Sequence, residues 1–233
     1  MSTTPRSAKT TDYRHGNLRA ALIEAGRQAL KTVGPHEVSL RSLARMAGVS
    51  EAAPSRHFSG IDELLATIAA TGFRELAALR IEIRDAKASP MTTAYRMMHV
   101  YVDFAQKEKG LFGLMIGPRI VDRNFFPELD RESKASFSLF ADAIHCLAAE
   151  HGWKKSHFNL LTHAAWAMEH GLAMLIICDR IPRSEMPLQV EPLVQFAIGT
   201  TLSGITAGPE HFLAAESEIG ALKASGHKRK PVS

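Results

Sequence analysis

Residues 37–65 read EVSLRSLARMAGVSEAAPSRHFSGIDELL, and this stretch decides the fold. Leu40, Leu43, Ala44 and Ala47 fall at i, i+3, i+4 and i+7, which puts them on one face of a helix. Ser39 stands just before that face and can cap its free amides. Gly48 follows where a sharp turn needs positive φ. Val49 returns to the core, and Ser50 is placed to cap a second, short helix carrying Glu51, Ala52, Ala53, Ser55, Arg56 and His57. Pro54 falls in the first turn of that helix, where a missing amide costs least. Small side chains at its start allow close approach to base edges, and Arg56 and His57 can reach phosphates. The pattern is that of a helix-turn-helix.

Upstream, residues 1–12 are polar and read as a flexible arm. A first helix is expected from Gly16 to Val33, with Leu18, Leu22, Ala25, Ala29 and Val33 inward and Gly34-Pro35 as its end. Downstream, Ser59-x-x-Asp62 has the spacing of a capping box for a long helix reaching Lys87. Phe58 is expected to plug the three-helix core. Helices are then expected over 90–109, 111–116, 127–150, 154–180 and 187–207, with Gly110 stopping the first of these and a weak helix over 210–223. The 90–109 segment is apolar on two faces, which suits a central place in a bundle. The domains follow as an arm (1–12), a helix-turn-helix domain (13–60), a C-terminal helical domain (61–223) and a basic tail (224–233). The fold class is all-α.

Composition agrees. Hydrophobic residues make up 45% of the 233-residue chain, enough for a sizeable core, while aromatics are only 7%. Residues 1–60 hold nine Lys and Arg against four Asp and Glu, whereas the remaining 173 hold nineteen against twenty. The basic excess thus lies on the segment read as DNA-binding. Cys146 and Cys178 sit in apolar helical stretches and are expected as buried free thiols. No stretch approaches the roughly 20 apolar residues of a membrane span, and the N-terminus has no secretory pattern, so a cytoplasmic protein that does not engage the membrane is expected.

The order Leu40-Arg41-x-x-Ala44-x-x-Ala47-Gly48-Val49-Ser50, then His57-Phe58 and Glu63-Leu64-Leu65, resembles the DNA-binding domain of TetR-family transcriptional regulators. The resemblance implies a homodimer on a near-palindromic duplex operator. It implies base and phosphate contacts from Ser39, Arg41, Ser50, Glu51, Ala52, Ala53, Ser55, Arg56 and His57, and phosphate contacts from Arg14 and Asn17 at the start of the first helix. Ser55 and Ile61 stand where that family usually has Tyr and Lys, both phosphate contacts. Their loss implies lower affinity and a shallower salt dependence unless Arg41, Arg56 or the arm compensates.

In the C-terminal part, Trp166-x-x-x-His170-Gly171 resembles the motif of the TetR subgroup whose C-terminal domain is named for Trp, His and Gly. Trp166 and His170 are four apart and share a helix face. With Phe104, Phe112, Met115 and Met174 they are candidates to line a pocket for a small apolar or aromatic effector. Packing of Trp166 on His170 as plain core is the alternative. His145, His151, His157, His163 and His170 lack the spacing of a metal site, so neither a metal nor any other cofactor is expected. Glu128, Asp130 and Glu132 read as a solvated run. There is no Gly-x-Ser-x-Gly elbow and no phosphate-cradling glycine loop, so no catalytic residues are assigned. The expected function is a sequence-specific DNA-binding regulator, a repressor released by a small molecule. The alternative is an all-helical ligand-binding protein or enzyme without specific DNA binding.

Overall fold

The computed structural model describes residues 18–120, 125–181 and 189–226, with side chains as far as residue 218. Arg14, Asn17, the 1–12 arm and the tail beyond residue 226 lie outside the described residues. Every regular element among these residues is helical: α1 (Leu18–Ala29), α2 (Leu40–Met46), α3 (Ile61–Asp85), α4 (Pro90–Lys107), α5 (Lys109–Ile116), α6 (Pro127–Glu150), α7 (Lys155–Ile177), α8 (Val190–Thr206) and α9 (Pro209–Gly226). A short 3-10 turn, Pro54–Arg56, lies between α2 and α3.

The helix-turn-helix core is small and closed. Leu22 from α1, Leu43 and Ala44 from α2, Phe58, and Leu64, Leu65 and Ile68 from α3 are all buried. Ser39 caps α2, its hydroxyl accepting from the Ser42 amide while the Ser42 hydroxyl accepts from the Ser39 amide. Gly48 takes φ +70° and turns the chain out of α2. The cap of α3 differs from the sequence expectation. Helix α3 starts after Gly60, so its third residue is Glu63 rather than Asp62. Glu63 Oε2 accepts from both the amide and the hydroxyl of Ser59, at 2.7 Å each. Asp62 instead pairs with Arg119 at 2.6 Å.

Helix α3 passes from this core into a larger bundle of α3–α8. Residues 64–70 are buried without interruption, because α1 covers α3 from one side and α5 and α6 from others. Helix α4 is central, with Ala94, Met97, Met98, Tyr101, Val102, Phe104 and Ala105 buried against α3, α6, α7 and α8. Trp153 anchors the α6–α7 turn by donating its indole N–H to the Ile205 carbonyl, at 2.7 Å.

Several expectations are corrected. Val33 is exposed, because α1 ends at Ala29 and the chain leaves in turns. Gly110 does not stop α4; Glu108 breaks it, and Gly110 lies inside α5 against the end of α1. Glu128 and Glu132 are not a solvated run. Glu128 accepts from Arg74 at 2.9 Å and from Arg19 at 3.3 Å, and Arg74 also reaches Glu132 at 3.4 Å, which ties α1, α3 and α6. Both cysteines are exposed, since α6 turns Ala143, Ile144, Leu147 and Ala148 inward and Cys146 outward, and Cys178 follows the end of α7. Helix α7 is, by length and composition, long and apolar enough to cross a membrane, although a few polar residues break its apolar run in the sequence. Here it packs on α4, α6 and α8 through Thr162, Ala165, Glu169, Leu172 and Ala173. It leaves Leu160, Ala164, Ala167 and Leu175 exposed on its outer side. Helix α8 likewise exposes Phe196, Thr200 and Ser203.

At Gly110, a Cβ would fall well inside contact distance of the Leu30 carbonyl oxygen, an atom of the backbone that cannot rotate away. At Gly113, one turn on, a Cβ would meet nothing within 4 Å. Gly110→Ala should therefore destabilise the protein by about 1–3 kcal/mol, lowering Tm by roughly 2–4 °C per kcal/mol. Gly113→Ala should be neutral or stabilising by up to about 1 kcal/mol. Calorimetric melts of the two variants decide this; equal Tm values would show that α5 does not press on α1.

Candidate nucleic-acid interface and interior cavity

The segment after α2 presents the residues expected to meet DNA, but not on an α-helix. Expected as a capped helix over 50–57, it forms turns and the three-residue 3-10 element Pro54–Arg56. The cause is Pro54. It has no N–H to give the Ser50 carbonyl, which accepts from the Ala53 amide at 2.9 Å instead. Ser50 thus closes the turn through its backbone and not as a side-chain cap. Pro54 is buried, while Ser50, Glu51, Ala52, Ser55, Arg56 and His57 are exposed and Ala53 is half-buried. The Ser55 hydroxyl is occupied locally, donating to the Ala52 carbonyl at 2.8 Å.

Ser39 and Arg41, at the start of α2, are exposed alongside them. Arg41 Nε donates to Glu51 Oε1 at 2.7 Å, which bridges the start of α2 to the loop. Both partners are well exposed, so this bond is cheap to exchange for a phosphate. Arg45, Arg56 and His57 are exposed with no ion-pair partner among the described residues. Ile61 is partly buried against the core, so no cation stands at that position.

A second site opens to the surface of the helical bundle, between α3, α6 and α7. A cavity of about 350 Å³ is bounded by Phe73, Leu76 and Arg80 of α3, Tyr101 of α4 and Ile116 of α5. Helix α6 adds Ser133, Lys134, Ser136, Phe137 and Ser138, and α7 adds His163 and Trp166. Of the six pocket candidates, Trp166 lines this cavity. Its ring lies edge-on to Phe137, with centroids 5.8 Å apart, and tilts against His170 at 5.8 Å. His170 is one step removed, its Nδ1 sharing a 3.0 Å hydrogen bond with the Tyr101 hydroxyl. Burial pulls the His170 pKa below its usual 6.5, which favours the neutral ring. Phe104, Phe112 and Met115 lie in the packed core, and Met174 packs partly buried against it.

The buried charged member of the cavity wall is one that sequence reading passed over. Arg80 is 3% exposed, and Nη1 donates to the Ser136 carbonyl at 2.8 Å and meets the Ser136 hydroxyl at 3.3 Å. Its guanidinium sits 5.6 Å from the Tyr101 ring and 5.4 Å from the Phe140 ring. Glu169 of α7, fully buried, places Oε1 3.6 Å from Nη2. Burial drives the Glu169 pKa well above its ordinary 4.5, against the pull of Arg80. A signal was present in the sequence. Arg80 follows Phe73 and Leu76 on one helical stripe, and Glu169 falls between Ala165 and Leu172 on another, so each charge interrupts a buried face.

Comparison with known proteins places both regions. Residues 22–68 match the family described as bacterial regulatory proteins, tetR family, and residues 95–201 match the tetracyclin repressor-like C-terminal domain. Among solved structures, the chain is similar to a protein of unknown function from Rhodococcus sp. (28% identity, covering 83% of this chain and 98% of that one, TM-score 0.70). It also shares the fold of the TetR family transcriptional regulator PfmR of Thermus thermophilus (16% identity, covering 78% and 97%, TM-score 0.59). A third is the ketosteroid transcriptional regulator of Mycobacterium tuberculosis (15% identity, covering 82% and 96%, TM-score 0.58). No curated protein matches the chain.

Arg80→Met alone strands the Glu169 carboxyl in the interior and should cost about 3–5 kcal/mol, whereas Arg80→Met with Glu169→Met should recover most of it. The single variant's deficit should also depend on pH. With its folded-state pKa raised, Glu169 keeps a proton that the unfolded chain releases. That contribution is complete below the ordinary value of 4.5 and is lost as pH rises through the folded value. Removing Arg80 raises the folded value further, so urea melts should show a larger deficit at pH 8 than at pH 5. A double variant as unstable as the single one would mean that Glu169 is not what Arg80 supports.

Proposed function

This chain belongs to the TetR family of bacterial regulatory proteins and is a DNA-binding transcriptional regulator, and from that premise we propose that it acts as a homodimeric repressor released by a small molecule. The observation that carries the DNA-reading part is the exposed set Ser39, Arg41, Ser50–Ala52 and Ser55–His57, with half-buried Ala53 among them, held on one three-helix core. In this reading Arg41, Arg56 and His57 position the protein on phosphates, and the small side chains at 52–53 let the turn approach base edges. Arg14 and Asn17 would add contacts ahead of α1. Ser55 supplies no phosphate contact while it is bonded to Ala52, so affinity leans on the arginines.

Two copies would meet through the outer faces of α7 and α8. On α7, Leu160, Ala164, Ala167, Gly171 and Leu175 recur at helical spacing, and on α8 Phe196, Gly199, Thr200 and Ser203 do the same. Leu160 is 69% exposed and Phe196 74%, which is unusual for side chains of this size unless another surface covers them. Small neighbours allow helices to approach closely in a four-helix interface. Two-fold symmetry then requires half-sites about 34 Å apart or a multiple of it. The small-molecule site is the cavity under Trp166, of a size that suits a small ligand. The Trp166–His170–Gly171 motif supports placing the chain in the corresponding subgroup. The protein would work in the bacterial cytoplasm, in a regulatory and not an enzymatic role.

Selection from a random duplex library at two salt concentrations tests this. An enriched near-palindrome is expected, bound more weakly at higher salt. Arg56→Ala should weaken it about tenfold, and Phe196→Asp should give a monomer by light scattering with little retained affinity. No enrichment even at low salt, or a monomeric wild type, would overturn the repressor dimer. Ser55→Tyr with Ile61→Lys should tighten binding and steepen its salt dependence.

A further inference from the structure

The cavity under Trp166 has an asymmetric chemistry. Phe73, Leu76, Ile116 and Phe137 give it apolar walls, and Arg80 gives it a cation. Three features make that cation a built recognition group. It is 97% withdrawn from solvent, being 3% exposed, so water does not weaken its field. It is held in place, with Nη1 bonded to Ser136 and the guanidinium lying against the Tyr101 and Phe140 rings, so a ligand need not order it. It is also incompletely used, since Nε has no hydrogen-bond partner among the described residues and Nη2 stands 3.6 Å from Glu169, outside hydrogen-bond distance. The Glu169 carboxyl has no hydrogen-bond partner among the described residues and does not line the cavity. Arg80 thus stands in the cavity wall, and the Glu169 carboxyl lies behind it.

We propose that the effector is an amphipathic carboxylate, an aliphatic or aromatic acid whose head group pairs with Arg80 while its apolar body lies against Phe73, Leu76, Phe137 and Trp166. This rests on taking the cavity as the effector site. The guanidinium carries paired N–H donors, and the two oxygens of a carboxylate match such a fork. A single charge is what one buried cation can neutralise. A phosphate would bring a second charge, and the other cation of the lining, Lys134, is exposed and already paired with Asp130 at 2.7 Å. The volume of about 350 Å³ suits an acid of roughly ten to twelve heavy atoms. A neutral apolar compound of the same shape would leave the Arg80 Nε unsatisfied.

The test is calorimetric titration of the full-length chain with decanoate and 4-phenylbutyrate, each against its primary amide, which keeps shape and removes charge. The acids are expected to bind at least about tenfold more tightly than the amides. In the variant carrying Arg80→Met with Glu169→Met, which removes both charges together, that preference should fall to about twofold or less while amide binding persists. Equal binding of acid and amide by the wild type, or a preference that survives in the double variant, overturns the carboxylate assignment and leaves the cavity as the effector site. Binding of neither class by the wild type overturns the cavity reading and this inference with it.

Discussion

One helix belongs to two bodies at once. The first half of α3 closes the helix-turn-helix core through Leu64, Leu65 and Ile68. Its second half supplies Phe73, Leu76 and Arg80 to the cavity wall. Twelve residues separate Ile68 from Arg80, roughly 18 Å of continuous helix. Arg80 and the DNA-facing core are therefore joined by one unbroken helix, Ile61–Asp85. The ion pairs of Arg74 with Glu128 and of Asp62 with Arg119 fasten the same helix to the start of α6 and to the turn after α5. The bundle and the DNA surface thus share one continuous helix and the ion pairs that fasten it. An effector acts on them only by binding one arrangement more tightly than the other.

The fold was largely legible because apolar periodicity is a local signal. Leu40, Leu43 and Ala44 announced α2, Ser39 its cap and Gly48 its turn, and all hold. The two apolar faces of α4 foretold its central place. What could not be read was which element covers which. Cys146 and Val33 look buried by composition, and only the packing of neighbouring helices leaves them outside. The segment at 50–57 misled for a different reason. Its composition suits a helix start, but one proline placed where an amide must reach back to Ser50 turns it into a 3-10 element.

The cavity was read partly. Trp166 and His170 were placed on a common face by their spacing, which holds, yet Phe104, Phe112 and Met115 were grouped with them on chemistry alone. Apolar residues of a bundle are interchangeable as sequence, and their division between core and cavity depends on distances between helices. The charges were more informative than the aromatics. Arg80 and Glu169 each break a stripe that is otherwise buried, and such a break is expensive unless another element answers it. Pairing interruptions of opposite sign across two helices is a search that needs no structure.

Gly110 has a consequence for descent. Because α5 rests directly on the backbone at Leu30, the shape of the DNA-reading part is recorded in the other domain as a missing side chain. Exchange of front halves between related regulators would be free if the halves met only through exchangeable surface charges. Here they meet by close apposition, so a new front half is accepted only if its chain leaves α1 along the same path. Reading specificity can then drift by exposed substitutions at 51–57, whereas wholesale recombination of the two halves is mechanically restricted.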